Sequence, residues 1–412
     1  MLLVKNIGQL LTISGDAAAR REKDMSYLGA IENAAVLIHK ETILAAGAQS
    51  FVCFLPEANG ADEYDAGGCA VFPAFCDSHT HPIFARARQD EYELRIRGAS
   101  YQQIAQMGGG IAGSVRHLRE MNESELLERG LHHAELFLQY GTGAIEAKSG
   151  YGLSLDDEMK MLRVIKKVSE QSPLDVVATF LGAHEIPKEY KNDRESYIKL
   201  ICETMIPQVA DEGLAQYCDV FCESHVFTIE ESKKILKAGQ ARGLKSRVHA
   251  DQLSLSGGSK LGVEVKAVSV DHVDRIGDEE IKALAGSDVI ATLLPGSVMH
   301  LGLHDYAPAR KMIDAGVAVA LATDFNPGSA PSLNMQITMS LACNYMRMTP
   351  AESLVAATHN GACAVEMQDR LGSIEPGKQA DLFISSVSDY RLIPYHFGMN
   401  HCRALIKKGK IV

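Results

Sequence analysis

The chain has no C-x-x-C pair: its nine cysteines are odd in number and scattered. That pattern indicates neither a disulfide framework nor a structural zinc cluster, and a reducing cytoplasm is the expected setting. No 18 apolar residues run together, so no membrane-spanning helix is expected. The opening MLLVKNIGQLL is too short and too strand-like for a signal peptide. A basic excess is missing too. With 41 Lys and Arg against 52 Asp and Glu the net charge is −11, which disfavours nucleic-acid and anionic-membrane partners. An anionic small substrate would therefore need a local basic pocket. Solenoid-type repeats and low-complexity tracts are likewise absent.

What is there is an ordinary globular composition, 46% hydrophobic and 23% charged over 412 residues, with ample chain for a large core. Residues 1–69 alternate short apolar runs with turn residues, as in LLVKN, LLTIS and AAVLIHKETILAAG, and read as strands. After Phe72 strand-length apolar runs alternate with segments of helical period such as ESELLERGLHHAELFLQYG, which indicates βα units and a parallel sheet. Eight strand segments follow in order: AFCDSHTH, GAIEAKSGYG, VVATFLGAH, YCDVFCES, KSRVHADQ, AVSVDHVD, DVIATLLPGS and VAVALATDF. Eight closes a (β/α)8 barrel. Past AESLVAATHNGACAV the chain reverts to strand patterns. The expected fold is α/β: a (β/α)8 TIM barrel over 70–365, with a small β-sandwich domain built from both chain ends, 1–69 and 366–412.

Most of these strands deliver a His, Glu or Asp at the C-terminal end, the face where barrel enzymes carry their chemistry. His79 and His81 end the first strand, one residue apart and so on one side of it. His249 ends the fifth strand, His272 the sixth and Asp324 the eighth. Strand ends around a barrel mouth point toward a common axis, so these five residues can meet. Imidazoles with a carboxylate suit Zn2+ or Fe2+, and a metal there would generate hydroxide at neutral pH. Asp324 can serve as ligand and as the base that takes and returns a proton. His272, if off the metal, can orient water or steady an oxyanion.

This constellation resembles the amidohydrolase superfamily. Within it, IEAKSGYGLSLDDEMKMLRVI, TFLGAHEIP, DVFCES, VHADQ, SVDHV and LATDFNPGSAPSLNM resemble successive blocks of the imidazolonepropionase family. The resemblance implies hydrolytic opening of the 4-imidazolone-5-propanoate ring to N-formimidoyl-L-glutamate, in histidine degradation. It carries metal ligands onto His79, His81, His249 and Asp324, for one zinc or iron ion per subunit. Glu223 stands at the end of the fourth strand, where binuclear relatives place a carbamylated lysine, and this favours one metal. A small-molecule substrate and a cytoplasmic homodimer are also implied.

The same resemblance makes Arg88 the anchor of the propanoate, because a guanidinium holds a carboxylate with two parallel hydrogen bonds. Arg86 reads as solvated. Tyr151 matches a residue touching both substrate and product, and Tyr101 is a weaker candidate. His184 matches a substrate-binding histidine that stabilises the carbonyl oxygen. Gln252 departs from those family members that carry Glu there. An amide cannot act as a base, so it is assigned orientation of the ring, leaving proton transfer to Asp324 and His272. Asn326, Gly328 and Ser329 match contacts to substrate or product, with Pro327 and Gly328 expected in a type II turn.

His117, His132 and His133 read as surface residues of helices. His300, His304, His359, His396 and His401 have no strand-end position, and His225 has no functional account. Two rival readings stay open. One is another cyclic-amide hydrolase or a nucleobase deaminase of the superfamily, which would have no use for Arg88 as an anchor. The other is a non-catalytic scaffold, which would not need the complete ligand set seen here.

Overall fold

The computed structural model describes residues 1–99, 103 and 108–412. All eight expected strand segments form strands, labelled here as barrel strands β1 to β8 in chain order: Phe75–Thr80, Thr142–Lys148, Asp175–Ala183, Tyr217–Cys222, Lys245–Ala250, Ser269–His272, Ile290–Leu293 and Val319–Leu321. They pair in parallel in sequence order. Helices cover the outside, several starting at reciprocal caps such as Asn122 with Glu125 and Thr228 with Glu231. These caps satisfy backbone donors that the first helical turn leaves free. Among the described residues no helix is long and apolar enough to cross a membrane.

The ring is closed between β8 and β1 just past the end of β8. Asp324 N donates to His79 O (3.1 Å) and His81 N to Phe325 O (2.8 Å), with a parallel bridge between Thr80 and Phe325. Below this seam, Asp77 accepts from Thr323 N (3.0 Å) and from Thr323 Oγ1 (2.5 Å). The barrel interior departs from the aliphatic filling usual for this architecture. Asp77, Glu146, Lys148, Asp219, Arg247 and Asp271 are all fully buried.

Both chain ends meet in a second, mixed sheet of eight strands. Its first strand, Leu2–Leu11, pairs antiparallel with Ala30–His39 and parallel with Ala70–Val71, and the latter strand pairs with Leu382–Ser385. A core of Val4, Ile7, Leu10, Val36, Ile38, Leu382 and Ile406 holds it together. Buried Lys407 joins this sheet to the barrel, its Nζ 2.5 Å from both Asp175 and Asp381. His133 differs from the surface position expected of it. It is half-buried, hydrogen-bonded to Pro82 O at 2.7 Å and set against Phe84 and Phe325, so it supports the seam from outside.

Removing the Asp77 carboxyl in Asp77→Ala leaves the buried Thr323 N–H without its acceptor, at a cost of about 1–3 kcal/mol. The expected result is a lower urea midpoint with an unchanged m-value. An unchanged midpoint would show that the seam stands without this carboxylate.

Candidate metal centre

The closing seam brings Asp324 against the histidine pair. Asp324 Oδ1 lies 3.6 Å from both His79 Nε2 and His81 Nε2. Ligating atoms of His79, His81 and Asp324 lie within 4.8 Å of one another, and so do those of His79, His249 and His272. All five residues are at most 3% exposed. His272 reaches this centre because its φ of 75° breaks the alternation of β6, so that it and its neighbour Asp271 both turn inward.

Charge and tautomer suit a cation. Burial first, with the Lys148 ammonium behind it, holds His79 well below the usual imidazole range. Burial and His184 do the same for His81, and burial and His249 for His272. His79 Nδ1 donates to Asp271 Oδ2 at 2.8 Å, which leaves Nε2 with its lone pair toward the centre. His249 Nδ1 stands 2.9 Å from Asp219 Oδ2, with its N–H out of line for a good hydrogen bond. His79 Nε2, His249 Nε2 and His272 Nδ1 are buried without a hydrogen-bond partner among the described residues. Buried polar atoms are rarely left so, and a divalent ion is what this donor set fits. Burial pushes the Asp324 carboxyl up to about 7, against the pull of His249.

Around the centre stand the other expected residues. His184 stacks on His81 with ring centroids 5.2 Å apart, and Tyr151 lies 5.4 Å from His184. His184 Nδ1 bonds Gly150 O at 2.9 Å; a carbonyl only accepts, so Nδ1 carries the proton. Burial, then His249, pulls His184 down to about 3, so its Nε2 presents a lone pair rather than a donor. Arg88 is half-buried, its Nε donating to Ser114 Oγ at 2.9 Å, whereas Arg86 is exposed. Gly328 lacks the positive φ of a type II turn. Its smallness serves Arg88 instead, since a Cβ there would lie 2.4 Å from Arg88 Nη1.

Asn326 folds that turn with its whole side chain. Nδ2 donates to Asp324 O (2.6 Å) and Ser329 Oγ (2.9 Å), while Oδ1 accepts from Gly328 N and Ser329 N at 2.8 Å each. Its amide therefore has no capacity left for a ligand. Ser329 Oγ lies 3.4 Å from Asp324 Oδ2. Gln252 is partly exposed on a loop held from two sides. Glu223 accepts from Leu253 N (3.0 Å) and Ser254 N (3.2 Å), and Asp251 from Gly257 N (2.8 Å) and Ser259 N (3.1 Å). Glu223 is thus occupied by the loop and does not join the converging groups. His225 is exposed. Tyr101 lies outside the described residues.

Several supporting groups escaped the sequence reading. Glu158, on the helix Leu155–Gln171, is buried and accepts from Gly150 N (3.1 Å), Gly152 N (2.8 Å) and Leu153 N (2.8 Å), clamping the loop that carries Tyr151. Asp219 and Asp271 back the histidines. The available signal was a charge inside an otherwise apolar strand, as in CDVF and SVDH.

Residues 70–412 match the Amidohydrolase family model. Imidazolonepropionase of Geobacillus thermodenitrificans is 46% identical over 415 residues, spanning 100% of this chain and 97% of the relative. That of Christiangramia forsetii is 43% identical, with 100% of both chains covered. The chain belongs to the imidazolonepropionases of the amidohydrolase family. In this amidohydrolase the fold is shared more widely. Escherichia coli guanine deaminase superposes with a TM-score of 0.76 at 14% identity, covering 100% of this chain and 98% of that one. A zinc-bound adenosine deaminase of Xanthomonas campestris gives 0.73 at 18% identity, covering 100% and 92%.

Glu158→Ala strips one buried acceptor from three backbone donors. The expected loss is about 3 kcal/mol of stability, charged acceptors being the stronger kind, read by urea unfolding. A loss under about 0.5 kcal/mol would show that the loop holds its shape unaided.

Proposed function

We infer that the chain opens the ring of 4-imidazolone-5-propanoate with water to give N-formimidoyl-L-glutamate. The observation that carries this reading is the meeting of four buried imidazoles and one carboxylate at the barrel mouth, His79 and His81 with Asp324 and His79 with His249 and His272, beside a half-buried arginine, in a chain 46% identical to an imidazolonepropionase. His79, His81, His249 and Asp324 would hold one zinc or iron ion. Such an ion supplies Lewis acidity, polarising a carbonyl and lowering the pKa of water toward about 7.

The residues of the chain divide the remaining work. Asp324 takes a proton from the attacking water and returns it to the ring nitrogen as the lactam C–N bond breaks, so a carboxylate and an amidine form. Arg88 grips the propanoate, backed by Ser114 and with Gly328 leaving it room. His184 accepts a ring N–H at Nε2, because Gly150 O fixes its proton on the other nitrogen. That replaces the oxyanion role expected from the sequence, which would need a donor. His272 stands beside His249, with centroids 5.4 Å apart, and orients the attacking water. Gln252 orients the ring, Tyr151 walls the pocket, and Asn326 with Ser329 shapes its floor. A cytoplasmic homodimer completes the reading; nine unpaired cysteines are consistent with a reducing compartment.

Incubating the purified chain with the imidazolone tests this directly. Near-ultraviolet absorbance should fall with time, stop after treatment with a chelator and return on adding zinc or iron. A metal-loaded chain that leaves the absorbance unchanged would overturn the assignment. Asp324→Ala is expected to lower kcat by about a thousandfold or more while the protein still unfolds cooperatively.

Arg88→Met should act chiefly on KM, raising it roughly 10- to 100-fold, the equivalent of a charged hydrogen-bonded contact of about 1.5–3 kcal/mol. Gly328→Ala should raise KM in the same direction by displacing the guanidinium. An unaltered KM in both variants would point to a neutral cyclic amide or a nucleobase as substrate.

A further inference from the structure

We propose that Lys148 is the positioning residue of the metal centre, one ammonium that fixes the supports of two ligand-bearing strands, β1 and β5. This inference rests on the metal-dependent reading above. Lys148 ends β2 and is fully buried. Its Nζ lies 2.8 Å from Glu146 Oε1, 2.8 Å from Asp219 Oδ2 and 3.6 Å from Asp271 Oδ2. Each carboxylate then touches a ligand segment. Asp271 Oδ2 holds His79 Nδ1 at 2.8 Å, and Asp219 Oδ2 faces His249 Nδ1 at 2.9 Å. Glu146 Oε2 accepts from Thr80 N (3.3 Å), the residue between His79 and His81, while its backbone oxygen accepts from Thr80 Oγ1 (2.6 Å).

At Asp219 and Asp271 the same carboxylate oxygen faces lysine and imidazole, so the lysine sets where His249 and His79 point. An ammonium suits the task because its three donors spread in three directions from a single atom. Arg247 supplies the second cation, 3.7 Å from Glu146 Oε1 and from Asp271 Oδ2, but it is committed to Ala364 O (2.6 Å) and Ser78 O (2.8 Å). It braces the barrel floor and stands about as far from Asp271 as Lys148 does, but only Lys148 reaches a histidine support at hydrogen-bonding distance, Asp219 at 2.8 Å. Partners of metal-bound histidines fix ring orientation, and their loss typically weakens metal binding by about 10- to 100-fold.

The test is zinc affinity of the metal-stripped full chain, measured by competition with a chromophoric chelator, alongside urea unfolding of the same metal-free proteins. Lys148→Met and Asp219→Asn, joined at 2.8 Å, are each expected to bind zinc about 10- to 100-fold more weakly. Because they act through one chain of contacts, the double variant should fall no more than about threefold below the weaker single one. Affinity of Lys148→Met within threefold of the parent, or losses that multiply fully in the double variant, would overturn the proposal. If Lys148→Met does not fold, Lys148→Arg carries the test. It keeps the charge but cannot place one atom between three carboxylates, so a tenfold or larger loss at a near-parent urea midpoint is expected, and parent-like affinity overturns the proposal. A parent chain that binds zinc but leaves the imidazolone intact contradicts the proposed function, and the affinity comparison still decides the role of Lys148.

Discussion

Barrel closure and site assembly are one event in this molecule. The hydrogen bond from Asp324 N to His79 O both completes the ring of strands and sets a carboxylate from near the end of the barrel against an imidazole from its beginning. His81 N on Phe325 O repeats the arrangement one step further out. No surface loop has to find its place for these groups to meet. A cooperative barrel therefore delivers its chemistry ready arranged, which is the preorganisation that electrostatic catalysis depends on.

Beneath the mouth the protein departs from the usual economy of a barrel core. Six ionisable side chains fill positions where aliphatic residues would pack. Buried ion pairs seldom repay their desolvation, so this layer is weak evidence for stability. Its effect is directional. Arg247 and Lys148 hold Asp271 below its ordinary range although burial opposes the charge, and His249 with Lys148 does so for Asp219. Carboxylates kept ionised in this way remain acceptors, and an acceptor on His79 Nδ1 fixes which nitrogen faces the centre. The chain is thus organised from below: a charged floor, then imidazoles, then the residues that face a substrate.

Much of this was readable in the linear chain, for definite reasons. Period-two alternation in HTH puts His79 and His81 on one side of a strand, and the repeated ending of apolar runs in His, Glu or Asp locates the active face. Eight such runs give the architecture. What stayed hidden depends on contacts between distant segments. Nothing near Asp271 indicates that it will hold His79, and nothing near Glu158 reveals three backbone donors converging on it. Pro-Gly at Pro327 and Gly328 reads locally as a type II turn, yet the glycine answers to Arg88 in space. His184 could be placed at its strand end, but its tautomer follows from the Gly150 carbonyl. His133 looked solvent-facing from its helix neighbours and is instead covered by Phe84 and Phe325.

X-ray absorption at the zinc edge of the reconstituted chain examines the centre itself, independently of any turnover. The expected spectrum shows a single zinc with imidazole scattering from three histidines and one carboxylate oxygen at about 2.0–2.2 Å, and Asp324→Ala removes the carboxylate contribution alone. A spectrum dominated by oxygen ligands without imidazole scattering, or one unchanged by loss of Asp324, would contradict the account.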